Sequence, residues 1–280
     1  MSRAPFGARL AEAVDARGSL CVGVDPHPGL LTDWGLTVDA RGLERFALTC
    51  AEALGDEVAV VKPQSAFFEA YGSAGVAVLE RLIERCQQGG ALVLLDAKRG
   101  DIGSTMAAYA QAYLSDGSPL AADAVTVSPY LGFGSLEPAV DLALRTGRGV
   151  FVLALTSNPE GAAVQRAVAA DGRIVAQSVV DEAARRNAGA HSLGSVGVVI
   201  GATVGVSGLE LRQLNGPILA PGFGAQGAGI TELRALFGPE LTGVLPTSSR
   251  DVLRHGPDVG ALRSVTRRVR DELREPSIKP

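Results

Sequence analysis

The chain has 280 residues, of which 46% are hydrophobic and 20% are charged, so it can bury a large core and is not a disordered protein. Its 26 basic and 30 acidic residues give a formal net charge of −4, which argues against a nucleic-acid-binding surface and against a polybasic membrane-binding surface. Because no apolar run reaches the roughly 18 residues of a membrane span and the first residues lack the apolar centre of a signal peptide, we expect a cytoplasmic protein.

Eight short apolar runs recur along the chain, and each is bounded by turn residues. The runs are near-continuous stretches of Val, Leu, Ile and Ala, as in parallel strands that are covered on both faces. In chain order, the predicted strands are Leu20–Asp25, Val58–Lys62, Ala91–Lys98, Ala124–Ser128, Val150–Thr156, Val196–Ala202, Pro217–Ala220 and Gly243–Pro246.

The segments between these runs include amphipathic helices, predicted at Leu43–Leu54, Gly75–Gln87, Thr105–Leu114 and Leu136–Arg145. Eight strand–helix units in a chain of 280 residues predict a (β/α)8 TIM barrel, with residues 1–280 as one domain. A doubly wound open sheet is the alternative. Roughly 40 residues separate the fifth and sixth strands, and we interpret 161–190 as a helical insertion in the fifth unit. Apolar residues at helical spacing predict a closing C-terminal helix at 258–274.

Polar residues follow the predicted strands at their carboxyl ends, which is where (β/α)8 barrels carry their chemistry. The strongest of these features is Asp96-Ala-Lys98-Arg-Gly-Asp101, at the end of the third strand. Because strand side chains alternate, Asp96 and Lys98 point to the same side and can both face the barrel mouth. Asp101 follows a glycine where the next helix is predicted to begin, so it is either a helix N-cap or a site residue.

Lysine is rare in this chain. Only three of the 26 basic residues are lysines, namely Lys62, Lys98 and Lys279. Two of the three lie at predicted strand ends, and lysine, unlike arginine, can release its proton in a protein. Lys62 and Lys98 are therefore candidate acids, bases or nucleophiles. Together with Asp25, Asp96 and Asp101 they predict a cluster of alternating charge, in which each charge keeps its neighbours ionised.

A glycine-rich loop, Gly222-Phe-Gly-Ala-Gln-Gly227, follows the seventh predicted strand and matches the pattern GxGxxG. The match alone is weak evidence, and a dinucleotide fingerprint normally opens the first βα unit. The loops after strands seven and eight of a (β/α)8 barrel often bind phosphate. We therefore expect glycine N–H groups and Arg250 to bind a phosphate, with Gln226 contacting the phosphate or a base. A simple turn is the alternative for this loop.

Taken together, these segments resemble the orotidine 5′-phosphate decarboxylase family. The matching segments are CVGVD with Asp25, VVKPQSAFFE with Lys62, LLDAKRGDIGST, TSNP, APGFGAQGAG and the final SSR, in that order. The long fifth unit and the GATVG segment look like the bacterial subgroup often called type 2. The resemblance implies a carboxy-lyase without cofactor or metal, which converts orotidine 5′-phosphate to UMP in the last step of de novo pyrimidine biosynthesis.

The resemblance also implies roles for the matched residues. Lys98 would protonate C6 of the pyrimidine as carbon dioxide leaves, and Asp96 would face the departing carboxylate. Lys62 and Asp25 would hold the ribose hydroxyls, and Ser157 would contact the pyrimidine. The phosphate would be bound by Pro221, Gly222, Gly224, Gln226, Ser249 and Arg250. The protein would be a homodimer, in which the partner subunit supplies the catalytic Asp101 together with Ile102 and Thr105.

Three other functions stay open at this point. A magnesium-dependent sugar-phosphate decarboxylase or aldolase of the same suprafamily would stabilise an enediolate with the metal. A Schiff-base aldolase would use Lys62 or Lys98 as its nucleophile. A non-catalytic nucleotide-binding barrel would need the phosphate loop but not the alternating charges. The presence of both Ser157 and Gln226 favours a pyrimidine nucleotide over a sugar phosphate.

Overall fold

The computed structural model of the protein describes residues 3–205, 208–224, 227–239 and 241–274. Within these ranges, parallel strands pair in chain order and close into a barrel in which β1 pairs with β8. The strands are β1 Cys21–Val24, β2 Val60–Pro63, β3 Leu92–Arg99, β4 Ala124–Val127, β5 Gly149–Leu155, β6 Val196–Ile200, β7 Ile218–Pro221 and β8 Val244–Ser248. The predicted (β/α)8 barrel is confirmed, and the open sheet is wrong.

Helices follow most of the strands around the barrel, but the described residues between β6 and β7 contain none. The helices are α1 Phe6–Arg17, α2 Pro28–Asp33, α3 Ala40–Leu54, α4 Ser65–Glu69, α5 Gly72–Gln88, α6 Gly103–Leu114, α7 Glu137–Arg145, α8 Ala162–Gln165, α9 Val175–Asn187, α10 Ile230–Phe237, α11 Arg250–Leu253 and α12 Val259–Arg274. Short 3-10 helices at Phe133–Leu136 and Pro159–Gly161 precede α7 and α8. In the described ranges, none of these helices combines the length and the apolar character that a membrane crossing requires.

Helix α1 closes the end of the barrel at which the strands begin. The ring of Phe6 meets the ring of Phe151 edge-on, with 6.0 Å between centroids, and both side chains are fully buried inside the barrel. Leu10, one turn further along α1, packs into the same inner cluster. Burial of such large apolar side chains stabilises the fold by roughly 1.5–3 kcal/mol each. The polar residues of interest lie at the opposite end, where the strands terminate.

Helix α12 covers the outside of the barrel beside α3. It begins within one residue of the predicted start, and its apolar stripe is buried at Leu262, Val265, Val269 and Leu273. A stripe at this spacing lies along one face of a helix and is therefore buried by packing rather than by intrinsic helix propensity. The segment between β5 and β6 contains α8 and α9, so the long fifth unit is helical as expected from the sequence.

The pairing of β3 with β4 contains a bulge near its carboxyl end. Leu95 pairs with Val125 and Arg99 pairs with Val127, so three residues of β3 stand opposite the single residue Thr126. Extra residues on one strand bend it and re-aim its side chains. At this bulge Lys98 adopts a left-handed conformation with φ of 50°, which is uncommon for a residue with a side chain. The bulge therefore sets the direction of the Lys98 side chain.

Candidate active site

Four charged side chains at the carboxyl ends of β1, β2 and β3 lie in a row, and we call Lys98, Asp96, Lys62 and Asp25 the charged array. The Nζ atom of Lys98 lies 2.6 Å from Asp96 Oδ1, and the Nζ atom of Lys62 lies 2.9 Å from Asp96 Oδ2. Lys62 Nζ also lies 4.0 Å from Asp25 Oδ1. The structure thus brings together four of the residues that the sequence analysis selected, with charges that alternate in sign.

Opposite charges keep the buried members of the charged array ionised. Burial lowers the pKa of the Lys62 ammonium, but the carboxylates of Asp96 and Asp25 outweigh burial, and the pKa is raised. Burial likewise raises the pKa of the Asp96 carboxyl, but Lys62 and Lys98 outweigh it and hold the pKa well below its usual range. The Lys98 side chain is 45% exposed, whereas that of Lys62 is 5% exposed. Lys98 is therefore the ammonium of the charged array that a ligand can approach more readily.

The carboxylate of Asp96 accepts four hydrogen bonds. Oδ1 accepts from Lys98 Nζ at 2.6 Å and from Thr126 Oγ1 at 2.8 Å. Oδ2 accepts from Lys62 Nζ at 2.9 Å and from Gln64 Nε2 at 3.0 Å. Because an ionised carboxylate offers about four lone-pair positions, these bonds use its full capacity and fix its orientation.

Thr126 and Gln64 are contacts of the site that the sequence analysis missed. The available signals were a hydroxyl inside the otherwise apolar β4, whose sequence is AVTV, and an amide two residues after Lys62. Neither signal is specific, because threonine is common in strands and glutamine is common at surfaces.

The two carboxylate oxygens of Asp25 differ in their hydrogen bonding. Its Oδ2 accepts a hydrogen bond of 2.6 Å from Ser249 Oγ, which follows β8. Its Oδ1 is buried and accepts no hydrogen bond from any described residue. Gly23 permits this arrangement, because a Cβ atom there would lie 3.0 Å from both Cβ and Oγ of Ser249. Buried acceptors usually have a hydrogen-bond partner, so this unpaired oxygen marks Asp25 as a candidate ligand-binding residue.

A cavity of about 470 Å³ opens beside Asp25 and Lys62. Of the residues predicted to bind phosphate, it is lined by Pro221, Gly222, Ser249 and Arg250. His27, Phe223 and Arg254 line it as well, although the sequence analysis did not place them in the site. The volume suits a small-molecule ligand. The predicted phosphate loops therefore share one cavity with Asp25 and Lys62, which are two of the four residues of the charged array.

The backbone of the glycine-rich loop requires glycine at two of the predicted positions. Gly222 and Gly224 have φ values of 103° and 81°, in a region that residues with side chains rarely adopt. At Gly224 a Cβ atom would also lie 2.2 Å from Asp251 Oδ2. Gly224 lies in this loop but does not line the cavity. Gln226, the other predicted ligand of the loop, lies outside the described residues.

The remaining predicted residues do not line this cavity. Ser157 is exposed in the loop after β5, and Ile102 and Thr105 are exposed after β3. Of the two alternatives for Asp101, the helix N-cap is wrong, because α6 begins at Gly103 with Ile102 as its N-cap residue. The Asp101 Oδ1 atom instead accepts a hydrogen bond of 2.8 Å from the adjacent N–H of Ile102.

Comparisons with known proteins match nearly the whole chain. The model of the family described as "Orotidine 5′-phosphate decarboxylase / HUMPS family" matches residues 18–265. An orotidine 5′-phosphate decarboxylase of Salinispora tropica is 66% identical over 96% of this chain and 97% of its own length, and one of Streptomyces coelicolor is 59% identical over 96% and 97%. The crystal structure of a Streptomyces avermitilis protein assigned as an orotidine 5′-phosphate decarboxylase has a TM-score of 0.95 and 60% identity, and covers 98% of this chain and 96% of that one.

Proposed function

The chain belongs to the orotidine 5′-phosphate decarboxylase family and converts orotidine 5′-phosphate to UMP and carbon dioxide, and we propose that its charged array carries out this reaction. The observation that supports the proposal is the alternation of Lys98, Asp96 and Lys62 at contact distance, together with a cavity that Lys62 lines. A fixed ammonium is the group that an anionic transition state requires. The reaction forms the pyrimidine nucleotide UMP, so the enzyme serves pyrimidine biosynthesis.

In the proposed mechanism, Lys98 is the acid. The bond between C6 of the pyrimidine and the carboxylate carbon breaks, and its electron pair stays on C6 as carbon dioxide leaves. The ammonium of Lys98 stabilises this pair and then donates a proton to form the new C6–H bond. Lys98 is left neutral and regains its proton from water. Arginine cannot perform this step because it does not release its proton in a protein.

Asp96 faces the departing carboxylate in this proposal and holds the Lys98 ammonium in place. Its four hydrogen bonds keep the carboxylate ionised and oriented before the substrate arrives. Such a preorganised charge requires no rearrangement during the reaction. The second ammonium on Asp96, that of Lys62, balances the charge that accumulates when the substrate carboxylate enters the site.

The other predicted residues bind the parts of the substrate that do not react. Asp25 and Lys62 hold the ribose hydroxyls. This role is supported because both residues line the cavity and Oδ1 of Asp25 accepts no hydrogen bond from the described residues. Ser157 contacts the pyrimidine. The phosphate is bound by Pro221, Gly222, Gly224, Gln226, Ser249 and Arg250. Binding energy from the phosphate can then be used to orient the pyrimidine against Lys98.

We further propose a homodimer in which Asp101, Ile102 and Thr105 complete the site of the partner subunit. Exposed apolar side chains in the loops after β3 and β4 support this interface. Ile102 is 62% exposed, Tyr130 is 78% exposed and Leu131 is 53% exposed. Exposed apolar residues that lie together commonly mark a protein–protein contact.

The proposed reaction needs neither a metal nor an organic cofactor, because Lys98 supplies the proton and the electron pair stays on C6. A cytoplasmic location belongs to the same proposal. It is supported by the role in nucleotide synthesis and by the three cysteines, Cys21, Cys50 and Cys86, which are buried free thiols.

The variant Lys98→Ala tests the proposed acid. We expect kcat to fall by at least about 10³-fold, because both charge stabilisation and proton donation are lost, while UMP still binds. Loss of orotidine 5′-phosphate absorbance and release of carbon dioxide measure the rate. Lys279→Ala is the matched control, since it removes the third lysine of the chain. Full activity of Lys98→Ala contradicts the proposed acid, and inactivation of the wild type by EDTA favours the magnesium-dependent alternative.

A further inference from the structure

Thr126 lies in β4 directly opposite the bulge of β3. Its side chain is fully buried, and the other residues of β4 are alanine and valine. Burying a hydroxyl is unfavourable unless it is hydrogen-bonded. Thr126 meets this requirement with two hydrogen bonds, and both are made with residues of the charged array.

The Thr126 hydroxyl connects the backbone of Lys98 to the side chain of Asp96. The N–H of Lys98 donates to Thr126 Oγ1 at 2.9 Å, and the hydroxyl donates to Asp96 Oδ1 at 2.8 Å. The directions are fixed, because a backbone amide only donates and an ionised carboxylate only accepts. Lys98 Nζ donates to the same carboxylate oxygen at 2.6 Å. The backbone and the ammonium of Lys98 are therefore closed into one hydrogen-bonded ring.

This ring explains how Lys98 keeps its unusual backbone conformation. A left-handed conformation is unfavourable for a residue with a side chain. The bulge takes the Lys98 amide out of the regular pairing of β3 with β4, and the Thr126 hydroxyl becomes its acceptor. Regular pairing resumes one residue later, where Ser128 N donates to Arg99 O at 2.8 Å. Thr126 is thus the contact that compensates the bulge at its strained residue.

We propose that Thr126 is a positioning residue for the decarboxylation, holding Lys98 in the left-handed conformation that places its ammonium for proton transfer. The inference rests on the proposed role of Lys98 as the acid. Without the hydroxyl, Lys98 keeps its charge but loses its fixed backbone, and Asp96 loses one of its four hydrogen bonds. A misplacement of about 1 Å in a catalytic group can cost about 10²-fold in rate.

The variants Thr126→Val and Thr126→Ser test this role. Valine keeps the shape of the side chain and removes both hydrogen bonds, whereas serine keeps the hydroxyl. We expect Thr126→Val to lower kcat by about 10- to 100-fold with KM changed by less than about 3-fold, and Thr126→Ser to restore kcat to within about 3-fold of the wild type. Thr266→Val is the matched control, because Thr266 is also fully buried but bonds Leu262 O within α12.

A ligand pair separates positioning from a general loss of structure. Ionised 6-hydroxyuridine 5′-phosphate carries negative charge on the oxygen attached to C6, which the proposed mechanism places beside the Lys98 ammonium, whereas UMP carries only hydrogen at C6. We expect Thr126→Val to weaken binding of the anionic ligand by about the same factor as it lowers kcat. The Kd of UMP should stay unchanged. If the valine variant does not fold, Thr126→Ala provides the same comparison.

Two outcomes overturn the inference. One is a wild-type kcat in Thr126→Val. The other is a loss of kcat that Thr126→Ser does not rescue and that is accompanied by an equal loss of UMP affinity. The proposed function fails separately: full activity of Lys98→Ala removes the acid itself. If Lys98→Ala is inactive and Thr126→Val is fully active, only the role of Thr126 is wrong.

Discussion

Glu57 shows how a single buried carboxylate depends on its cationic neighbours. It lies between α3 and β2 with its side chain 9% exposed, and Arg267 of α12 donates to both of its oxygens. Arg263 and Arg270 lie 4.0 Å from the same carboxylate. The hydrogen bonds from Arg267 lower the pKa of Glu57, and burial opposes them without reversing the shift. The residue therefore links α12 to the barrel through its charge.

Removing this charge gives a pH-dependent loss of stability. Because the pKa of Glu57 is lowered in the folded protein, its stabilising effect is complete above the unfolded value of about 4.3 and is lost as pH falls through the folded value. We expect Glu57→Gln to lower Tm by about 2–4 °C at pH 7, with the difference shrinking below about pH 4. Thermal unfolding between pH 3 and 7 measures this. Exposed Glu52 supplies the control variant Glu52→Gln, and a difference for Glu57→Gln that is unchanged at pH 3 contradicts the prediction.

At the scale of elements, the strands could be located from the sequence because each is a short apolar run between turn residues. Every predicted strand end lies within two residues of the observed one. The bulge in β3 could not be predicted, because it depends on how β3 and β4 pair rather than on either strand alone. For the same reason the contact of Thr126 with Asp96 was missed. The alternative of Asp101 as an N-cap was wrong for a local reason. Its side chain accepts from the next N–H, and the helix begins later, at Gly103.

The position of the charged array could be predicted from the sequence for a simpler reason. Parallel strands that close into a barrel bring their carboxyl ends to one mouth, so residues distant in sequence meet there. This rule alone predicts that Asp25, Lys62 and Asp96 lie close together. The contacts that Gln64 and Ser249 make with these residues could not be predicted in this way. They depend on side-chain orientation beyond the end of a strand, where the alternation of side chains no longer applies.

Helix α8 holds the loop that carries Ser157. The side-chain oxygen of Gln165 accepts from the N–H of Thr156 at 2.8 Å, and its amide nitrogen lies 2.8 Å from Thr156 Oγ1. Gln165 of α8 therefore links the start of the 161–190 insertion to the end of β5, where the pyrimidine contact is proposed.

Gln165→Leu tests the role of α8. We expect kcat/KM to fall by about 10-fold, because the loop after β5 loses both contacts to one side chain and Ser157 is no longer fixed. Gln165→Glu keeps the acceptor for the Thr156 N–H and should lose less. Steady-state kinetics with orotidine 5′-phosphate measure both variants. Gln177→Leu is the control, since Gln177 makes a similar two-bond contact to the backbone of Glu210; equal losses in Gln165→Leu and Gln177→Leu contradict the prediction.

At the scale of the whole molecule, the proposed homodimer assigns residues of one site to two subunits. Lys98→Ala and Asp101→Ala homodimers should each be inactive, because every site lacks one of the two residues. A mixed dimer contains one site with both residues intact and one site that lacks both. We therefore expect mixing to restore roughly a quarter of the wild-type activity, because random pairing puts about half of the chains in mixed dimers and half of their sites are intact.

Activity after unfolding and refolding the two variants together measures this recovery, and each variant refolded alone is the control. Mass spectrometry establishes that mixed dimers have formed. If verified mixed dimers show no recovery, Asp101 acts in the site of its own subunit. A monomer in solution at assay concentration contradicts the dimer itself.

The scarcity of lysine makes the site directly observable by spectroscopy. Of three lysines in the chain, two place their Nζ atoms on the same carboxylate, that of Asp96. Protein grown with lysine that carries ¹⁵N only at Nζ therefore has three labelled side-chain nuclei, two of which lie in the charged array. Ligand binding and proton transfer can then be followed at those two nuclei without assigning the rest of the molecule.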